Sequence, residues 1–161
     1  MMLIKAVTKV RRSFCWRRAA MLAAFLCAAA IHPAKSEAQI MGDLEADIPF
    51  QFHAGDAKLP AGRYTIHRLD DSNEAVLEIT SADGRVSALF SIEASQASTA
   101  PAKSELIFNK YGGRYFLSQL FDEGSTSGSQ VVESRYEKKV SQTSVNSQEH
   151  VSAKRRARQG N

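Results

Sequence analysis

The chain has 161 residues, enough for one ordinary domain and too few for a large multidomain enzyme. Its 21 Lys+Arg against 17 Asp+Glu give a formal +4, which over a whole chain would suggest polyanionic partners. The charge is segregated instead: residues 1–38 hold seven basic side chains against Glu37, residues 39–137 hold eight basic and fifteen acidic ones (−7), and residues 138–161 hold six basic ones against Glu149 (+5).

The first segment reads as a secretory leader. Lys5, Lys9, Arg11, Arg12, Arg17 and Arg18 precede a 13-residue uncharged run from Ala19 to Ile31, and small residues at Ser36 and Ala38 suit the −3 and −1 positions of a cleavage site. Cleavage is expected between Ala38 and Gln39. Thirteen helical residues span about 20 Å, short of the roughly 30 Å hydrocarbon core, so no transmembrane segment is expected in the mature chain. Arg11-Arg12-Ser13-Phe14 partly matches the twin-arginine pattern, and both that route and ordinary secretion stay open. Cys15 and Cys27 both lie in the leader. A mature chain without cysteine excludes disulfides, Cys-ligated metal and a thiol nucleophile. The expected location is the periplasm or the medium.

Beyond the leader, Asp43 to His53 alternates apolar Leu44, Ala46, Ile48, Phe50 and Phe52 with polar neighbours, the period of a half-buried strand. Pro49, which cannot donate to a ladder, places this strand at an edge or at a bulge. Leu59-Pro60-Ala61-Gly62 reads as a type I turn leading into a strand over Arg63 to Leu69. Two more strands, Ala75 to Thr80 and Arg85 to Glu93, flank the Asp83-Gly84 hairpin signal. The small, polar stretch Ala94 to Lys103 is a surface crossing. Glu105 to Tyr111 and Arg114 to Phe121 then flank Gly112-Gly113, with apolar residues on both parities, which calls for cover on both faces or a place where a small barrel closes.

Gln130 to Val140 fits a short last strand or a helix, and Val132, Tyr136 and Val140 at every fourth residue favour the helix. From Ser141 onward only Val145, Val151, Ala153 and Ala157 are apolar, so residues 141–161 are expected to form a disordered basic tail. The expectation is an all-β domain over residues 39–140, a small antiparallel barrel or sandwich of six to seven strands with a short C-terminal helix.

Chemistry is sparse. His53 and His67 have Asp56, Asp70 and Asp71 near in sequence, but no HxH, HxxxH or HExxH spacing occurs, so neither metal nor cofactor is expected. Asp43, Glu45 and Asp47 alternate as a solvated strand face rather than a catalytic carboxylate pair. No serine sits in G-x-S-x-G, and Gly112-Gly113 lacks the Lys and helix of a phosphate cradle. Lys154, Arg155, Arg156 and Arg158 read first as a solvated tail that partly neutralises the acidic domain, the alternative being a tethered contact to an anionic surface such as lipid phosphates, and no nucleic acid is expected as a partner.

Ile48-Pro49-Phe50-Gln51-Phe52, Gly55 and Leu59-Pro60-Ala61-Gly62-Arg63-Tyr64-Thr65-Ile66, followed by Leu106-Ile107-Phe108-Asn109-Lys110-Tyr111-Gly112 and Arg114-Tyr115-Phe116-Leu117, resemble the pattern of a group of uncharacterised, signal-bearing small bacterial proteins. The likeness covers about residues 44–138. It implies an exported β-rich fold and brings no catalytic residues with it. The leading expectation is a non-enzymatic binding or envelope-associated module. The alternatives are a small periplasmic hydrolase using His53 or His67 with Asp70 or Asp71, and a carrier of a hydrophobic ligand in an aromatic-lined cavity.

Overall fold

The computed structural model describes residues 42–69 and 75–156. The expected cleavage site at Ala38 and Gln39, the candidate carboxylates Asp70 and Asp71, and Arg158 lie outside the described residues.

Strand β1 (Asp43–Ile48) follows the alternation of its sequence, with Leu44, Ala46 and Ile48 buried. The eleven-residue strand expected there is cut short at Pro49, whose missing N–H and fixed φ end the ladder. Nor is β1 an edge, because it pairs antiparallel on both sides. After Pro49 the chain forms a small hairpin of β2 (Phe52–Ala54) and β3 (Ala57–Leu59) before entering β4 (Gly62–Arg68). The Tyr64 hydroxyl donates to the Pro60 carbonyl at 2.8 Å, which ties the Leu59-Pro60-Ala61-Gly62 turn to the strand it introduces.

Strands β4, β5 (Val76–Ser81) and β6 (Ser87–Gln96) form the expected meander. Next come β7 (Glu105–Tyr111) and β8 (Arg114–Phe121), joined by Gly112 and Gly113 at φ +55° and +85°. Two consecutive positive φ values are what a two-residue hairpin turn requires, and glycine adopts them without a Cβ clash. Strand β9 (Ser127–Val131), helix α1 (Arg135–Ser141) and β10 (Asn146–Arg156) complete the chain. Gln130–Val140 is therefore divided between the end of a strand and a helix.

The all-β expectation holds, and the architecture is a closed eight-stranded antiparallel barrel with two additional strands. Around the barrel the order is β8-β7-β10-β1-β4-β5-β6-β9, and β9 pairs back onto β8 to close it. Strand β2 joins the start of β8 in parallel, Phe52 opposite Tyr115 and His53 opposite Phe116. The count of six to seven strands is corrected to ten among the described residues.

The expected disordered tail is also corrected, since β10 occupies residues 146–156 in the middle of the sheet. Its composition is poor in apolar residues, yet only Val151 and Ala153 face the core. Ladders to β7 and β1 on either side satisfy its backbone, which no count of its own hydrophobic residues registers. Its outer charges meet complementary ones, with Lys154 opposite Glu45 and Arg156 opposite Asp43 in register.

An eight-stranded barrel has an interior just wide enough to be filled by side chains. Here Leu44, Ile48, Tyr64, Ile66, Leu77, Ile79, Phe108 and Leu117 are fully buried in one continuous core. The segment between β1 and β4 leaves from neighbouring strands and crosses to β8, so it lies over one end of the barrel. Phe52, edge-on to Tyr64 at 5.3 Å and to Phe108 at 5.4 Å, plugs that end. At the opposite end Ser104, Asp122 and Arg155 form a polar closure.

Candidate functional site

Strands β7 and β8 bury residues on both faces, as their two-sided apolar pattern requires. Their outer face is covered by α1, whose Val140 packs with Tyr111 and Phe116. The helix begins at Ser134, whose side chain accepts from the Glu137 N–H at 3.1 Å, an N-cap that satisfies one otherwise orphaned donor. Asn109 Nδ2 on β7 donates to Glu137 Oε1 at 3.1 Å and anchors the first turn to the sheet. Burial pushes the Glu137 carboxyl above the ordinary range and nearby Glu133 adds to the effect, while the Asn109 hydrogen bond opposes it.

Docked in this way, α1 holds Tyr136 over the β2–β8 junction. The His53 imidazole stacks on Phe116, centroids 4.9 Å apart and planes 19° apart, and lies 5.2 Å from the Tyr136 ring. Phe50 stacks on Tyr115 at 3.9 Å. Between these rings a cleft of about 400 Å³ opens on the outside of the barrel, bordered also by Gln51, Lys58 and Arg114. The Lys110 ammonium lies 5.1 Å from the centre of the Tyr115 ring, a cation–π distance.

The cleft is electropositive. Burial lowers the His53 pKa below its ordinary value, and Lys58 and Arg114 lower it further, so the imidazole is neutral at pH 7. Among the described residues neither Lys58 nor Arg114 has a carboxylate within ion-pair distance, whereas Arg63, Arg85 and Arg155 pair with Glu45, Asp83 and Asp122 at 3.9, 3.6 and 3.0 Å. Among the described residues no serine, threonine or cysteine borders the cleft.

His67 is placed elsewhere. It sits on β4, separated from β8 around the barrel by β1, β10 and β7, and its Nε2 lies 3.3 Å from Glu78 Oε2 on β5. His150, assigned by its sequence context to the tail, lies on β10 with Nδ1 3.0 Å from Glu105 Oε2. Both are cross-strand pairs on the outer wall, and neither borders the cleft or the second cavity, an open groove of about 750 Å³ beside Leu89 and Val132. Among the described residues no three His, Asp or Glu side chains are grouped to hold a metal ion.

Of the basic residues read as a tethered anion contact, Lys154 and Arg156 are exposed on β10, and Arg155 turns to the barrel end to meet Asp122. The cleft itself was not legible, because its walls come from residues 50–58, 113–115 and 136. The helix that the spacing of Val132, Tyr136 and Val140 favoured does carry Tyr136, and Ser134-x-x-Glu137 was a further readable signal, for where it starts.

Comparison of the chain with protein-family models, with curated proteins and with solved structures yields no match.

Proposed function

We propose that this chain is an exported, non-enzymatic binding module whose recognition surface is the outside of a filled barrel. The observation that carries the reading is the contrast between a packed interior and an electropositive, aromatic cleft formed externally by β2, β8 and α1. A carrier of hydrophobic ligands would need the interior that Tyr64, Phe52 and Phe108 fill. A hydrolase would need a nucleophile beside His53 or His67 in a cleft, and the arrangement supports binding better than bond cleavage.

Export is supported by the leader-like residues 1–38, with the periplasm or the medium as destination. Among the described residues no helix is long and apolar enough to cross a membrane. The barrel wall carries Asp43, Glu45, Asp47, Arg63, Lys154 and Arg156 outward, and a lysine or arginine facing lipid near the bilayer midplane costs about 2–4 kcal/mol, a carboxylate less. That wall suits water. The resemblance to the small bacterial group with the Ile48-Pro49-Phe50 and Leu59-Pro60-Ala61-Gly62 pattern agrees with this reading.

The test is native mass spectrometry of the protein purified without denaturant from its own envelope or medium. The expected result is an N-terminus at Gln39 and a mass excess from a bound molecule or partner. Turnover of ester or phosphoester substrates that disappears in His53→Ala or His67→Ala would overturn the reading in favour of the hydrolase.

A further inference from the structure

We propose that the cleft between β2, β8 and α1 takes a small organic anion, a carboxylate, sulfate or phosphate borne on a planar ring. The anionic group would face Lys58 and Arg114, and the ring would lie among Tyr136, Tyr115 and His53. This assignment deepens the binding-module reading and rests on it.

Three observations converge. The first is charge: over residues 39–137 the chain is acidic at −7, yet Lys58 and Arg114 border one cleft with no carboxylate in ion-pair reach among the described residues. Unneutralised cations concentrated in a concave site attract an anion more strongly than the same charges spread over a convex surface. Arginine also offers a planar fork of donors matched to carboxylate and phosphate oxygens.

The second observation is the wall material. Tyr136 is 43% exposed although it sits on a docked helix, so its ring offers a free face beside His53. Aromatic rings prefer offset-stacked or edge-on partners, and a planar ligand supplies either. A bare inorganic ion would leave these rings unused.

The third is size. A cavity of about 400 Å³ falls in the range of small-molecule sites. A polymer would extend beyond the cleft onto the acidic remainder of the domain. Burial, with Lys58 and Arg114 adding to it, lowers the His53 pKa, so its ring presents a hydrogen-bonding surface without adding charge.

The test is an NMR titration of the exported form of the chain with three matched probes: 2-naphthoate, its neutral analogue 2-naphthamide, and acetate. Naphthoate is expected to move the His53, Tyr115 and Tyr136 resonances and to bind at least tenfold more tightly than either of the others. Lys58→Gln and Arg114→Gln, both at exposed positions, are each expected to weaken it at least fivefold while the dispersed amide spectrum persists. Equal binding of the amide, or naphthoate shifts that both variants leave unchanged, would overturn the assignment. A natural ligand that co-purifies but maps to the groove beside Leu89 would also overturn it, while leaving the binding-module reading standing.

Discussion

Arg155 on the last strand reaches the barrel end to place its Nη2 3.0 Å from Oδ2 of Asp122, a carboxylate only 3% exposed. Ser104 completes the closure, donating from Oγ to Asp122 Oδ1 at 3.4 Å and accepting from the Glu123 N–H at 3.0 Å. The contact links β10 to the residue after β8 across the intervening β7. Its two ends are unequally buried, since the Arg155 side chain is 47% exposed. Removing the arginine takes the cation away from a buried carboxylate that keeps Ser104 as a donor, whereas removing the carboxylate frees a cation that water can solvate. Arg155→Ala is therefore expected to cost about 2 kcal/mol, below the roughly 3–5 kcal/mol for breaking a fully buried pair. Asp122→Asn should cost less. Urea denaturation midpoints of the two variants and the double variant measure the difference, and equal costs would refute the asymmetry.

A larger effect is expected from truncation. Strand β10 sits between β7 and β1, so ending the chain at Val145 removes two ladders and leaves two unpaired strand edges in an opened barrel. A chain of residues 39–145 should fail to give a cooperative thermal transition, with circular dichroism as the readout. Ending it at Arg156 should leave the transition within a few degrees of the longer form. A folded 39–145 fragment would show that the barrel closes without its C-terminal strand.

These two cases show why some of the fold was readable and some was not. Strands β7 and β8 match their expected bounds because Gly112-Gly113 marks the turn and the apolar runs mark the strands, both local signals. Their two-sided hydrophobicity allowed cover on both faces or the closure of a small barrel, and both occur, since α1 covers them through Val140 and β8 pairs with β9. Strand β10 escaped because what orders it is supplied by its neighbours: Glu45 and Asp43 opposite Lys154 and Arg156, and ladder partners more than a hundred residues away on β1. The hairpin of β2 and β3, three residues per strand, is too short to establish a period. The cleft followed both into obscurity, since the parallel pairing of Phe52 and His53 with Tyr115 and Phe116 has no signature in either segment alone.

Neighbouring residues on β9 should respond to substitution in opposite directions. Gly128 lies against the Phe121 ring and the Leu120 carbonyl so closely that an added Cβ would overlap both. The carbonyl is backbone and cannot swing aside, so Gly128→Ala should destabilise by about 2 kcal/mol, in the range of overpacked cores. Ser129 is fully buried, and its Oγ has no hydrogen-bond partner among the described residues. Replacing it by alanine removes a desolvated hydroxyl at the expense of little volume, and Ser129→Ala should stabilise by about 1 kcal/mol. Thermal melts of the pair decide the matter, and a loss of stability in Ser129→Ala would mean that the hydroxyl is satisfied after all.

The buried carboxyl of Glu137 gives the docking of α1 a pH dependence of definite sign. Its pKa is raised in the folded protein, chiefly by burial, so between the ordinary glutamate range and the raised value the folded chain binds more protons than the unfolded one. Stability from this group is thus fully present below the ordinary range and is lost as pH rises through the raised one. His53 has the opposite sign: its lowered pKa makes stability fall as pH drops below the ordinary histidine value. Glu137→Gln keeps an acceptor for Asn109 and removes the ionisation, so the variant should lose the glutamate part of the slope and match or exceed the parent at pH 7. Because α1 carries Tyr136, amide exchange in residues 135–141 should slow in Glu137→Gln at neutral pH and differ little from the parent near pH 4. Faster exchange in the variant at neutral pH would show that the charged carboxylate, through Asn109, holds the helix in place.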